Sequence, residues 1–175
     1  MITTANISTC GKYRYRLARI WDEKKARRAV FVMLNPSTAD ALIDDPTIRK
    51  CIGFAGQWGQ QKWLHQIGGL GGIVVVNLFA LRATDPTELS KSEDPIGPEN
   101  DDYIRRELWA ARAAGSIVVC AWGANKEATS RQSTLIALLN RYGDRHNTFR
   151  IGPLTKDGHP RHPLYLPYHS GLEVF

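Results

Sequence analysis

The sequence is short of cysteine and has no long apolar run, and each shortage removes a class of protein. Its three cysteines, Cys10, Cys51 and Cys120, stand far apart with no C-x-x-C pair. That spacing excludes a zinc ribbon, a paired redox motif and a disulfide-stapled secreted scaffold, and leaves buried reduced thiols as the reading. No His/Cys cluster has metal-ligand spacing, so neither a metal nor another cofactor is expected. The longest apolar stretch, Ile73 to Val76 continuing past Asn77 to Leu81, falls far short of the roughly 20 residues that cross a bilayer. The N-terminus also lacks a signal-peptide core, and the expectation is a soluble, cytoplasmic protein with no membrane partner. No internal repeat is visible. With 175 residues and 43% hydrophobic content, one domain over residues 1–175 is expected, with enough core to fold unaided.

Basic residues, by contrast, are in excess. The formal net charge is +6 and the isoelectric point about 9.4, which suits an anionic partner such as nucleic acid or suits nothing more than a solvated basic face. Oligomeric state is not readable. The glycine cluster Gly68-Gly69-Leu70-Gly71-Gly72 precedes a strand instead of joining a strand to a helix, so it reads as a turn and not as a phosphate cradle.

Apolar runs that stop at polar residues organise the rest. Ala29 to Leu34 is a short buried strand that ends at Asn35-Pro36, because proline cannot continue a ladder or a helix interior. Ile73 to Val76 ends likewise at Asn77, and Ile117 to Ala121 at Trp122-Gly123. Tyr13 to Ile20 alternates apolar and basic residues, a half-exposed strand whose outer face would carry Arg14, Arg16 and Arg19 and which would pair with the Ala29 strand as an antiparallel hairpin. Helices are expected from Pro46 to Trp58 with Asp45 as N-cap, from the Asn100-Asp101 cap to Ala114, and over Lys126–Arg141. Phe149 to Ile151 is a last short strand before a polar, proline-rich tail. The fold class is therefore α/β: a three-layer α/β/α sandwich with a mostly parallel central sheet and an N-terminal antiparallel hairpin. Right-handed crossovers would deliver the Asn35, Asn77, Trp122 and tail loops to one rim, where such sheets bind ligands.

The runs Met-Leu-Asn35-Pro-Ser-Thr-Ala-Asp40, Asp45-Pro-Thr-Ile-Arg49, Asn77-Leu-Phe-Ala-Leu-Arg82, Asn100-Asp101, Trp122-Gly123 and Pro160-Arg-His-Pro-Leu-Tyr165 resemble the bacterial and phage family filed as a domain of unknown function, DUF1643. More distantly, the order of signals is similar to that of the uracil-DNA glycosylase superfamily. Asn35-Pro36 resembles its first motif, Asn77 its second, Trp122-Gly123 its third and His162-Pro163 its late loop. The likeness differs where the best-known branch has a catalytic Asp followed by Pro-Tyr, here Asn-Pro-Ser, and where a Ser usually follows His-Pro.

That resemblance implies a DNA glycosylase-like protein that recognises or excises a base, modified or not, in DNA or in a nucleotide. Breaking a base–sugar bond needs a group to place water, a group to hold the base edge and a donor to the developing oxyanion. Asn35 would position water, with Asp40 or Asp45 supplying the charge it lacks, and His162 would donate to the leaving base. Asn77 would read a pyrimidine edge on a platform offered by Phe79, Trp122 or Tyr165. Arg82, Lys156, His159 and Arg161 would meet phosphates. Plainer readings exist for several of these: Trp122 as core, Arg82 paired with Asp85, Asp45 as a helix cap, Arg14 and Arg16 as a solvated strand face. Ser37 and Thr38 lack a nucleophile elbow. A noncatalytic module that holds a base and a hydrolase or transferase of small nucleotides stay open as alternatives, since fold likeness does not choose among them.

Overall fold

The computed structural model describes all residues from Met1 to Phe175. Seven strands, β1 (Ile2–Ile7), β2 (Arg14–Ile20), β3 (Ala29–Met33), β4 (Gly72–Asn77), β5 (Ile117–Cys120), β6 (Thr148–Ile151) and β7 (Leu172–Val174), form one sheet in the order β1-β2-β4-β3-β5-β6-β7. The helices are α1 (Pro46–Trp58), α2 (Lys62–Gln66), α3 (Asn100–Ala114) and α4 (Lys126–Tyr142).

The α/β class is as expected, but the sheet is mixed and not mostly parallel. The central strands β4, β3, β5 and β6 run parallel, whereas β1, β2 and β7 join antiparallel at the two sides. The N-terminal hairpin also has different partners. β2 pairs with β1 and β4, and β3 lies beyond β4. The Trp21–Arg28 link is too long for a tight hairpin turn, so β3 can reach the far side of β4. That link packs directly on the entry to β4, where a Cβ on Gly71 would collide with the carbonyl oxygen of Asp22.

Placing β2 inside the sheet overturns the solvated-face reading for Arg14 and Arg19, while Arg16 stays half-exposed and pairs with Glu107. Arg14 and Arg19 are 2% and 1% exposed. Cys10 is likewise not buried but exposed, while Cys51 and Cys120 are buried free thiols, their ionisation pushed up by desolvation.

Helices cover both faces. Alternate residues of the strands, such as Leu17, Phe31, Met33, Ile73 and Val75, pack under α1 through Ile48, Cys51, Phe54 and Trp58. Their neighbours Val30, Val32, Val74, Val76 and Val118 pack under α3 and α4 through Ile104, Leu108, Leu135 and Leu139. Strands buried on both sides explain the unbroken apolar runs of the sequence. Asp45 caps α1 as expected, accepting from the Ile48 backbone N–H at 2.8 Å ahead of Pro46. Asn100 is not a cap. It is the first residue of α3, and its buried amide donates to the carbonyls of Asn77 and Leu78 at 3.0 and 3.1 Å.

No helix is long and apolar enough to cross a membrane.

Candidate functional site

The carboxyl ends of β3, β4 and β5 open into a cleft of about 950 Å³, within the ~300–1,000 Å³ range of small-molecule sites. Backbone hydrogen bonds lock its loops together. Leu78 and Phe79, after β4, donate to Met33 and Leu34 at 2.8 and 2.9 Å, and Ala83 donates to Pro36 at 2.9 Å. Gly123 donates to the Pro160 carbonyl at 2.9 Å, which ties the exit of β5 to the late loop. At φ 79° Gly123 takes a conformation that L side chains rarely adopt, and a Cβ there would stand 3.2 Å from that of His162. Lys50 on α1 donates to the Leu166 carbonyl at 2.5 Å and lies 3.9 Å over the Tyr168 ring, pinning the tail against the helix.

Asn77 is the most exacting residue of the lining. It is 1% exposed, and neither its Nδ2 nor its Oδ1 has a protein partner. A desolvated amide with every side-chain site unused is costly, because each lost hydrogen bond to water goes uncompensated. Asn35 differs: its Nδ2 donates to the carbonyls of Ala83 at 2.8 Å and Pro36 at 3.1 Å, so its Oδ1 is the atom left to accept.

His162 lines the same cleft and heads a short 3-10 turn, Pro163–Tyr165. Its Nδ1 accepts from the Leu164 backbone N–H at 3.3 Å, which leaves the proton on Nε2. Burial pushes the imidazole down to about 4, against the opposing pull of the Asp45 carboxylate, so it is a neutral donor at physiological pH.

Seven of the residues singled out in the sequence therefore share one lining: Asn35, Asn77, Trp122, Lys156, Arg161, His162 and Tyr165. Trp122 is a core residue at the same time, edge-on to Phe175 at 5.5 Å with its Nε1 unpartnered. Tyr165 is 83% exposed at the mouth, tilted against His162 at 5.8 Å.

Four are not in the lining. Asp40 turns its carboxylate onto the backbone N–H groups of Leu42 and Ile43, which hold its ionisation below the usual carboxylate range and fix a loop. Phe79 packs in the α3/α4 core. Arg82 donates to the Gly11 carbonyl, not to Asp85, whose carboxylate caps Thr87. His159 lies outside the lining, its backbone N–H donating to the Thr155 hydroxyl oxygen at 3.1 Å within its own loop.

Four residues that have plainer readings in the sequence also line the cleft: Asp45, the alternative to Asp40 as the source of charge, Arg14, Ser37 and Thr38. Asp45 lines the cleft as well as capping α1. Arg14 lines it from β2, held by one bond from Nη1 to the Ala39 carbonyl at 2.8 Å. Among the charged side chains of the lining, Arg14, Lys156 and Arg161 face a single carboxylate, that of Asp45. The cleft is thus suited to a ligand with a polar, planar edge and negative charge. No group of three or more His, Cys, Asp or Glu residues is placed to hold a metal.

Comparison with curated proteins and with solved structures gives no match. Residues 14–164 match the family described as a protein of unknown function, DUF1643, a span that begins at Arg14 and takes in all of the cleft lining except Tyr165 and Leu166. The chain belongs to the DUF1643 family.

Proposed function

We propose that the cleft holds a nucleobase and that the protein is a DNA glycosylase-like enzyme, recognising a base, modified or not, and cutting its N-glycosidic bond. The observation that carries this reading is the buried Asn77 amide, whose free donor and acceptor lie on one planar group in the cleft. A pyrimidine edge presents the complementary pair and would offset the desolvation that the protein's own groups leave uncompensated.

The reaction asks for three further groups, and the lining supplies them. As the base–sugar bond breaks, electrons pass to the base, and the neutral His162 imidazole can donate from Nε2 to the developing oxyanion without first losing a charge. The free Oδ1 of Asn35 can accept a hydrogen bond from the attacking water. The carboxylate in the cleft is that of Asp45, and it can take the proton that water releases as the new C–O bond forms. The net basic lining suits the phosphates of DNA or of a nucleotide.

A second reading, a module that holds a base without excising it, is favoured by one detail. Asp45 already spends an oxygen on capping Ile48, and position 35 offers an amide where a carboxylate would serve as a base.

Mass spectrometry of free bases released from DNA of varied base modification tests the proposal. Release is expected, and is expected to vanish in Asn77→Ala and His162→Ala. Binding that persists without release in the unaltered protein would favour the module, and the absence of both binding and release on every nucleic acid and nucleotide would overturn the base-holding site.

A further inference from the structure

Arg14 has no structural role that accounts for its burial. It is 2% exposed and lines the cleft at the first residue of β2. Its one side-chain hydrogen bond goes to the Ala39 carbonyl, its Nε is buried without a partner, and none of the chain's ion pairs includes it. A guanidinium carries five donors in a planar fork and remains charged, so removing it from water without a counter-ion is strongly unfavourable. Desolvation pushes it down to about 10, which still leaves it cationic at neutral pH, and the Asp45 carboxylate that counters this shift lies beyond ion-pair distance.

A second feature of the same cleft points to the same ligand. The thirteen-residue α1 begins in the cleft, with Pro46, Thr47 and Ile48 in the lining. The Ile48 N–H is taken by Asp45, whereas the Thr47 N–H makes no hydrogen bond within the protein. Helix N-termini attract anions through such free N–H groups and the aligned peptide dipoles.

We propose that Arg14 and the start of α1 form a seat for a phosphate monoester, so that the unit entering the cleft is a nucleotide whose terminal phosphate reaches Arg14 while its base meets Asn77. The assignment of the base to Asn77 rests on the function proposed above; the phosphate seat does not. A monoester fits better than an internal phosphodiester, because a group as buried as Arg14 is reached by the end of a ligand and not by the middle of a strand. Its three free oxygens can meet the Arg14 fork and the Thr47 N–H together. The 950 Å³ volume exceeds what a base alone would fill and leaves room for sugar and phosphate.

Calorimetric titration of the full chain tests the seat. The probes are inorganic phosphate, the four deoxynucleosides, their 5′- and 3′-monophosphates, and a short single strand with and without a terminal phosphate. The expected result is that a monophosphate binds at least tenfold more tightly than its nucleoside. A terminal phosphate on the strand gives a similar gain if the ligand is a strand end, and none if it is a free nucleotide. Arg14→Gln should bring the gain of the monophosphate to within twofold, while Asn77→Ala weakens nucleoside and nucleotide alike and preserves the ratio. Equal affinity of nucleoside and monophosphate in the unaltered protein would overturn the seat, whether or not any variant folds. So would a gain that survives in Arg14→Gln. Arg14-dependent binding of inorganic phosphate with no contribution from any base would uphold the seat and remove the base from Asn77. Asn77-dependent binding of nucleosides with no gain from phosphate would do the reverse.

Discussion

The two ends of β2 each bury an arginine, and the contrast between them separates scaffold from site. Arg19 is fully matched: its Nε donates to the Asp44 carboxylate at 2.7 Å, and its Nη atoms donate to the carbonyls of Ala18 and Asp40 at 2.9 and 2.6 Å. Arg14, five residues earlier on the same strand, has one carbonyl and no anion. The end of β4 repeats the contrast with asparagines. Asn100 spends both amide hydrogens holding the backbone of Asn77 and Leu78, whereas the Asn77 side chain makes no bond at all. Native interiors tolerate few unpaired polar groups, and here the Arg14 and Asn77 side chains share one cleft. The matched Arg19 and Asn100 hold loops and strand ends in place; the unmatched Arg14 and Asn77 are the groups we propose a ligand completes.

The largest expected effect sharpens the first half of that contrast. Arg19→Leu strips Asp44 and the carbonyls of Ala18 and Asp40 of their partner and should cost about 3 kcal/mol or more in chemical denaturation. Arg14→Met, which removes a desolvated charge with little to lose, should leave stability unchanged or raise it. Equal losses in the two variants would break the comparison.

Acid should act through His162. The unfolded chain takes up a proton near 6.5 that the folded imidazole refuses until about 4, so between those values the unfolded state binds more protons and stability falls as pH falls. The group contributes no slope above this window. Roughly 2–3 kcal/mol should disappear across it, and His162→Gln should flatten that part of the curve when melting is followed against pH.

Next in size, Asn100→Ala should cost about 1–3 kcal/mol by leaving the Asn77 and Leu78 carbonyls short of a donor. Asn77→Leu should change stability by under about 1 kcal/mol, because no bond is lost. Smallest of all, Tyr165→Ala should stay within about 0.5 kcal/mol in thermal melts, since the ring is 83% exposed, yet weaken binding of any base that stacks at the mouth.

How far the sequence disclosed this arrangement depends on what kind of signal each part leaves. The parallel strands are continuous apolar runs because both faces are covered, and their ends are marked by Asn35-Pro36, Asn77 and Trp122-Gly123, so the rim was legible. The Asp45-Pro46 start of α1 was legible for the same local reason. Strand order was not, because pairing across the sheet is a long-range choice that no local pattern encodes, and β2 therefore took the wrong neighbour. That error hid Arg14 and Arg19, since an arginine on a strand reads as solvated unless the strand is known to be internal. Parity held the available hint: positions 14 and 19 cannot both share a face with position 16 on a regular strand. Asp40, Phe79, Arg82 and His159 stand within two residues of the lining, but all four lie in irregular chain beyond the strands, where no period-two pattern tells which way a side chain turns. Asn77 was visible as a strand-end amide; its lack of any partner was visible only in three dimensions.

The most direct test is to follow the side-chain amide resonances of Asn77 by nuclear magnetic resonance while adding nucleosides and nucleotides. Saturable movement of the Asn77 NH2 signals by one base and not by the others, with the Asn100 NH2 signals unmoved, is the predicted result. Asn77 signals that stay fixed while a nucleic acid or nucleotide binds elsewhere on the protein would contradict it.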